Sequence, residues 1–441
     1  MVFHNHYQSF FQVHKKSVAY QARHYLCGLM QASKKNMERM VESVPGSNWQ
    51  SLQNFISHSP WEATSLLDQI AIDVNQLIGG DQDSCLIIDE TAFAKKGKKS
   101  VGVSRQWNGR LGKVDNCQVG VFAALNCRDR VSLIDTRLFL PKSWTDDKVR
   151  CQTTDIPKDR LTHQKKANLA LEMIKSARQK QLSYQWVGAD AFYGEDPNFV
   201  RTLDQLGETF MVDVHCDQSI YLHDPKPHVP QRTSKRGRQP SRLKTDEQFL
   251  TVSQWAQDQA ETAWQQIELR DSTKGKLSVA VLHGRVWLWD GKEKKTHLWH
   301  LIVRRESGSK NKIKYSISNA SPETSIARLS FMQGQRYFVE RAIEDGKSAA
   351  GMADYQVRTW TGWHHHMALV MLAMLFVLQT KLKHSEQYDL ISSNDVRELL
   401  VHFLPQRAIT KEEVIKQMEE RHKKRKYAIQ YHLKHIVNNS D

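Results

Sequence analysis

Two short apolar runs, each ending in a carboxylate, limit what this chain can fold into. Ser84-Cys85-Leu86-Ile87-Ile88-Asp89-Glu90 and Tyr184-Gln185-Trp186-Val187-Gly188-Ala189-Asp190 are too short and too continuously apolar for amphipathic helices. They read as strands buried on both faces of a sheet, each with an aspartate at its C-terminal tip. A lone aspartate at a strand end is ordinarily a turn or cap residue. If the two strands are adjacent and parallel, both carboxylates reach one point on a rigid scaffold, which is what a site for hard divalent cations needs.

The chain between and after these runs fills in the fold. Ser100 to Trp107 and Cys117 to Leu125 read as strands joined by Asn108-Gly109-Arg110-Leu111-Gly112, giving a three-stranded antiparallel meander with the first run. A helix is expected over Thr162 to Lys180, a second over 195–206, and a strand over Thr209 to Val214. The resulting order, β-β-β-α-β-α-β, is the core of an RNase H-like α/β fold, a mixed sheet with helices on both faces. A Pro-, Lys- and Arg-rich stretch from His223 to Lys244 reads as an exposed basic loop. Beyond it, Trp264 to Arg270, Lys276 to Trp289, His297 to Arg304 and Lys314 to Ser318 read as the strands of a β-rich insertion.

Ser330 to Lys347 then reads as one helix, with Arg336, Glu340, Glu344 and Lys347 on a single face because they are four, four and three residues apart. By itself that stripe is an ordinary salt-bridged surface; after two strand-end aspartates it offers a third carboxylate. Upstream, residues 15–80 read as about four helices, with Ser59-Pro60 as a helix start. The expected divisions are a helical region over 1–80, a small DNA-binding domain or a plain scaffold of helices, a first part of the core over 81–222, the basic loop and β-rich insertion over 223–325, closing helices of the core over 326–384, and a basic helical region over 385–441.

Composition narrows the partners. The 441 residues carry a formal net charge of +15, which favours a polyanion, nucleic acid before a membrane surface. Six scattered cysteines show no metal-binding spacing and suggest reduced thiols in the cytoplasm. The N-terminus lacks the pattern of a secretion signal, and the longest apolar run, Met367 to Leu378, is too short to span a bilayer. Lys95, Lys96, Lys98 and Lys99 follow the first acid closely enough to grip DNA, or to be a solvated hairpin tip. Trp287, Trp289 and Trp299 fit the insertion's core, or a platform for a displaced base. The triple His364-His365-His366 reads as helix surface and core, since adjacent side chains diverge by about 100°.

Over most of residues 20–380 the chain resembles insertion-sequence transposases of the DDE superfamily, in the group marked by a Tyr-Arg-Glu-Lys signature. The resemblance is carried by Leu52-Gln53-Asn54-Phe55 with Ser59-Pro60-Trp61, by Ile87-Ile88-Asp89-Glu90-Thr91, and by Ser100-Val101-Gly102-Val103-Ser104-Arg105-Gln106. It continues in Gly112 to Val119, in Ala189-Asp190-Ala191-Phe192-Tyr193-Gly194, and in Asp354 to Trp363. It implies that Asp89, Asp190 and Glu340 are the catalytic and metal-binding triad, holding two Mg2+ ions with Mn2+ able to substitute. It assigns Arg336 and Lys347 to the signature's basic positions and extends DNA contact to Lys95, Lys96, Arg105, Tyr193 and Arg358. Gln333 stands where the signature has tyrosine, His365 stands where relatives more often have arginine, and Glu344 competes with Glu340 as third ligand. The implied activity is cut-and-paste transposition in the bacterial cytoplasm, by a homodimer that synapses two ends of double-stranded DNA and does not engage membrane. A nuclease without strand transfer and an inactive DNA-binding regulator are the alternatives.

Overall fold

The computed structural model describes residues 2–231, 239–272, 275–306, 313–388 and 390–437. The heart of the basic loop, Thr233 to Arg238, falls outside them. The chain divides into two units, one made of Thr64–Asp345 with Arg358–Trp360, the other of Met1–Ala63, Gly346–Val357 and Thr361–Asp441.

The first of these is built on one ten-stranded mixed sheet. Its strands in chain order are β1 (Ser84–Ala94), β2 (Ser104–Asn108), β3 (Lys113–Cys127), β4 (Arg130–Leu138), β5 (Trp186–Ala189), β6 (Phe210–Val214), β7 (Gln265–Ser272), β8 (Gly275–Leu288), β9 (His297–Glu306) and β10 (Ile313–Ser318). Across the sheet they run β7-β8-β9-β10-β6-β5-β1-β3-β2, with β4 pairing the far half of β3. The β1–β5 and β5–β6 pairs are parallel; the pairs on either side are antiparallel. This is the expected RNase H-like arrangement of mixed sheet and flanking helices.

Leu86, Ile87 and Ile88 have no exposed surface. Burying each contributes about 2 kcal/mol to holding β1 in the middle of the sheet. The meander differs from expectation in one strand. β2 is short and pairs only with Lys113–Cys117, while the third long strand of the core is β4, which reading for alternation passes over. A bulge at Ile134, between the pairs Ala123↔Asp135 and Ala124↔Leu133, breaks the period of two and buries consecutive apolar residues. The insertion's strands do not close into a sheet of their own. β10 pairs antiparallel with β6, register Ser316↔Asp213, and carries β9, β8 and β7 outward from the core.

Two helical expectations change. The Ser330–Lys347 helix is two helices, Ile326–Gln335 and Tyr337–Ser348, broken at Arg336. The helix after Ser59-Pro60 begins at Ala63, because Trp61 turns inward and its indole N–H donates to the Phe55 carbonyl at 3.4 Å.

The second unit is helical, with Ala19–Gln31, Met37–Ser43 and Trp49–Ser57 from the N-terminal region and Ser393–Phe403 and Lys411–Val437 from the C-terminal region. Its central helix, Trp360–His384, is long and apolar enough to cross a membrane, but 72% of its most apolar window is buried inside the protein. His365 is buried there, stacked on Trp61 at 3.9 Å, with its ring nitrogens 3.0 and 2.8 Å from the Ile56 and Trp61 carbonyls. His366 Nδ1 meets the Tyr25 hydroxyl at 2.9 Å. These histidines serve the core of the unit.

Candidate active site

β1 and β5 stay in parallel register through Ile88↔Ala189, and the next residue on each strand is an aspartate. Asp89 and Asp190 therefore stand side by side where the parallel pairing stops. Asp190 ends its strand and caps the short helix Ala191–Gly194, accepting the Phe192 N–H at 3.1 Å. Asp89 is not at a tip, because β1 runs on to Ala94 against β3. Its Oδ1 accepts the Glu90 N–H at 2.7 Å.

Both carboxyls are poorly solvated. Burial pushes Asp89 up to about 7, with the charges of Asp190 and Glu340 adding to the rise and Arg336 and the Glu90 N–H opposing it. Burial also raises Asp190 to about 6, assisted by Glu90 and Asp213 and opposed by Arg336. Crowded, partly desolvated carboxylate oxygens are the donor chemistry a hard divalent cation satisfies, so Asp89 and Asp190 fit such an ion. Among the described residues, no three acidic, His or Cys side chains already converge as a metal cage.

The third carboxylate approaches through an arginine. Arg336, at the break between the two helices, is only 16% exposed. Its Nη2 lies 2.8 Å from Glu340 Oε1, its Nε donates to Asp213 Oδ2 at 3.0 Å, and its Nη1 is 3.6 Å from Asp89 Oδ2. Burial opposes this charge, but Asp213, Asp89 and Glu340 outweigh it and the guanidinium is held more firmly protonated than usual. Glu344 points elsewhere: it pairs with Arg341 at 2.7 Å on the exposed helix surface.

Asp213 was not among the expected site residues, although a single acid inside the apolar run Phe210-Met211-Val212-Asp213-Val214 is its signature in the sequence. Glu90 is likewise drawn in. It forms an ion pair with Lys166 and accepts the Tyr193 hydroxyl at 2.9 Å. Tyr193 is fully buried, so it braces Glu90 from within rather than facing DNA. Gly194 lies against β6 so closely that an added Cβ would sit 2.0 Å from the Asp213 carbonyl oxygen. Gly194→Ala is expected to lower stability by about 3 kcal/mol, read from denaturant midpoints, by prying the Asp190 turn from β6.

The remaining expected residues spread outward. Lys95 and Lys96 follow β1, Lys95 half-buried and Lys96 exposed, and the Lys95 carbonyl accepts the Asn116 side-chain amide at 2.5 Å. Arg105 is exposed on β2 beside Trp107, which is 60% exposed and was not singled out by sequence. The Arg358 side chain is exposed while its carbonyl accepts the Val101 N–H at 2.9 Å. Lys347, half-buried in the last turn of Tyr337–Ser348, belongs to the helical unit. Trp299 packs edge-on against Phe210, ring centres 5.0 Å apart, and Trp289 donates to the Glu293 carbonyl at 2.6 Å. A cleft of about 100 Å³ opens beside Glu340, lined by Arg270, Arg304, Lys314 and Tyr337. The Arg270 guanidinium lies 3.9 Å from the centre of the Tyr337 ring.

The sequence profile described as "DDE superfamily endonuclease" matches residues 9–276. The chain belongs to the DDE superfamily of endonucleases. The matched stretch contains Asp89, Asp190 and Asp213; Arg336 and Glu340 lie beyond it. The chain is also similar to a protein of Microchaete diplosiphon named "Probable transposase for insertion sequence element IS701", 28% identical over 225 residues. That alignment covers 51% of this chain and 55% of the relative, so the chain spans about half the length of the curated relative it matches. DDE endonucleases depend on divalent metal, which agrees with the donor chemistry at Asp89 and Asp190.

Proposed function

We propose that this DDE endonuclease is the transposase of an insertion sequence, which binds the element's ends, cleaves them and joins the freed 3′-hydroxyls to target DNA. The observation that carries the reading is the placement of Asp89 and Asp190 on adjacent parallel strands, with the Arg336–Glu340 helix turn reaching the same point. Similarity to a probable insertion-sequence transposase supports the same conclusion.

Asp89, Asp190 and Glu340 would hold two Mg2+ ions, Mn2+ being able to substitute, and bound ions of this kind activate an attacking oxygen and stabilise a leaving one. The chain's own side chains bind and orient the DNA. Arg336 presents a planar fork to a phosphate once its Nη atoms leave the carboxylates. Lys347, Lys95, Lys96, Arg105 and Arg358 supply further phosphate contacts, and the Arg270–Arg304–Lys314 cleft continues the cationic track beside Glu340. Water attacks first and the released 3′-hydroxyl second. The helical N-terminal region, with Lys15, Lys16, Arg23, Lys34 and Arg39, reads the ends, and two copies synapse them.

Purified protein and Mg2+, with uncut end DNA to read nicking and with pre-cleaved end DNA and a supercoiled target to read joining, test the proposal. Covalently joined products are expected. Nicking without joined products would leave an endonuclease without strand transfer, and binding without nicking would leave a regulator.

A further inference from the structure

We propose that Asp213 is a positioning residue that keeps Arg336 displaceable: the arginine bridges the carboxylates before a divalent cation arrives and withdraws toward Asp213 when one does. The inference rests on reading Asp89, Asp190 and Glu340 as cation ligands. Arg336 meets three carboxylates on unequal terms. Its link to Asp213 is a directed hydrogen bond from Nε at 3.0 Å, whereas Asp89 lies at 3.6 Å and Glu340, at 2.8 Å, is about half exposed.

Asp213 is held from its other side. Ser316, its register partner on β10, donates its hydroxyl to Asp213 Oδ1 at 2.6 Å, and Gln333 donates its side-chain amide to the Ser316 hydroxyl at 2.7 Å. Ser316 and Gln333 are both buried. The chain Gln333–Ser316–Asp213–Arg336 thus fixes one carboxylate with both oxygens committed, leaving the contacts to Asp89 and Glu340 as the ones a cation contests. Divalent cations take carboxylate oxygens as ligands, so one arriving here competes with the guanidinium for those of Asp89 and Glu340. A buried arginine stripped of every anion is nevertheless very costly, and the Asp213 hydrogen bond removes that cost. This arrangement also gives Gln333, which replaces the signature tyrosine, a task of its own: its amide N–H completes the brace on Asp213.

Mn2+ binding without DNA, followed by electron paramagnetic resonance, tests the assignment in the parent, Asp213→Asn, Arg336→Gln, the double variant and Asp89→Asn. Asp213→Asn is expected to weaken Mn2+ binding about tenfold, because Arg336 then leans wholly on Asp89 and Glu340. In the Arg336→Gln background the same substitution should change binding less than about twofold. Ser316→Ala and Gln333→Leu should shift affinity in the same direction by about threefold. Equal weakening in both backgrounds would make Asp213 a ligand and overturn the proposal. Unchanged affinity with a lowered melting temperature would reduce Asp213 to a structural residue and overturn it as well. If Asp89→Asn binds Mn2+ like the parent, the cation reading itself fails and takes the proposal with it.

Discussion

Asp89→Asn and Asp190→Asn are each expected to lower DNA cleavage by about a thousandfold or more while the protein keeps its fold, a loss of about 4 kcal/mol in transition-state stabilisation. The asparagine is isosteric, and its side-chain oxygen can still accept the Glu90 N–H in the first case and the Phe192 N–H in the second. What disappears is the charge that a divalent ion needs. Because that charge is poorly solvated in both aspartates, the variants should melt no lower than the parent at neutral pH without metal, which separates lost catalysis from lost folding. Glu340→Gln should fall as far in activity. Glu344→Gln should stay within about threefold of the parent, since its pair with Arg341 is an exposed i,i+3 contact of small energy. Rates of nicking on end DNA, with melting curves on the same preparations, give the comparison. Loss of activity in Glu344→Gln with a near-normal Glu340→Gln would move the third ligand one helical turn along.

The second expectation concerns pH. Asp89 and Asp190 titrate near 7 and near 6 in the folded protein, against an ordinary value of 3.8. Between these limits the folded state binds more protons than the unfolded chain, so stability falls as pH rises. Their contribution is fully present below about pH 4, shrinks as pH rises and is lost once pH passes the folded values near 6 and 7, amounting to about 4 kcal/mol for the coupled pair. Other carboxylates that are paired in the native state pull in the opposite direction. The diagnostic is therefore the difference between parent and Asp89→Asn, followed by thermal melts in chelator from pH 4.5 to 7.5. The parent should lose ground to the variant as pH rises. Divalent cation at pH 7 should restore the parent by replacing the protons, and should do little for Asp89→Asn. Parallel pH profiles for the two proteins would mean that Asp89 is solvated and free, against the burial seen in the structure.

These expectations rest on residues whose visibility in the sequence differed. Asp89 and Asp190 were legible because a buried strand between other strands is apolar on both faces, so the first carboxylate after such a run stands out. The insertion's strands were legible to within a few residues for a similar reason. β4 was not, because its bulge at Ile134 disrupts the alternation by which a strand is recognised. Tyr193 lay in a legible motif, but its burial against Glu90 was not legible, since the direction of one side chain depends on how a four-residue helix settles on β6.

The two buried runs with their aspartates, the strands of the β-rich segment and the charged stripe were determined by local composition and period, properties that each segment carries wherever it is placed. The tertiary structure alone decided what these parts meet. A break at Arg336 turned a surface stripe into a guanidinium lodged among Asp89, Asp213 and Glu340. The pairing of β10 with β6 set Ser316 beside Asp213, across more than a hundred residues of chain. Contacts of that kind depend on strand register and helix placement, which are fixed by the packing of the whole unit and by no segment within it.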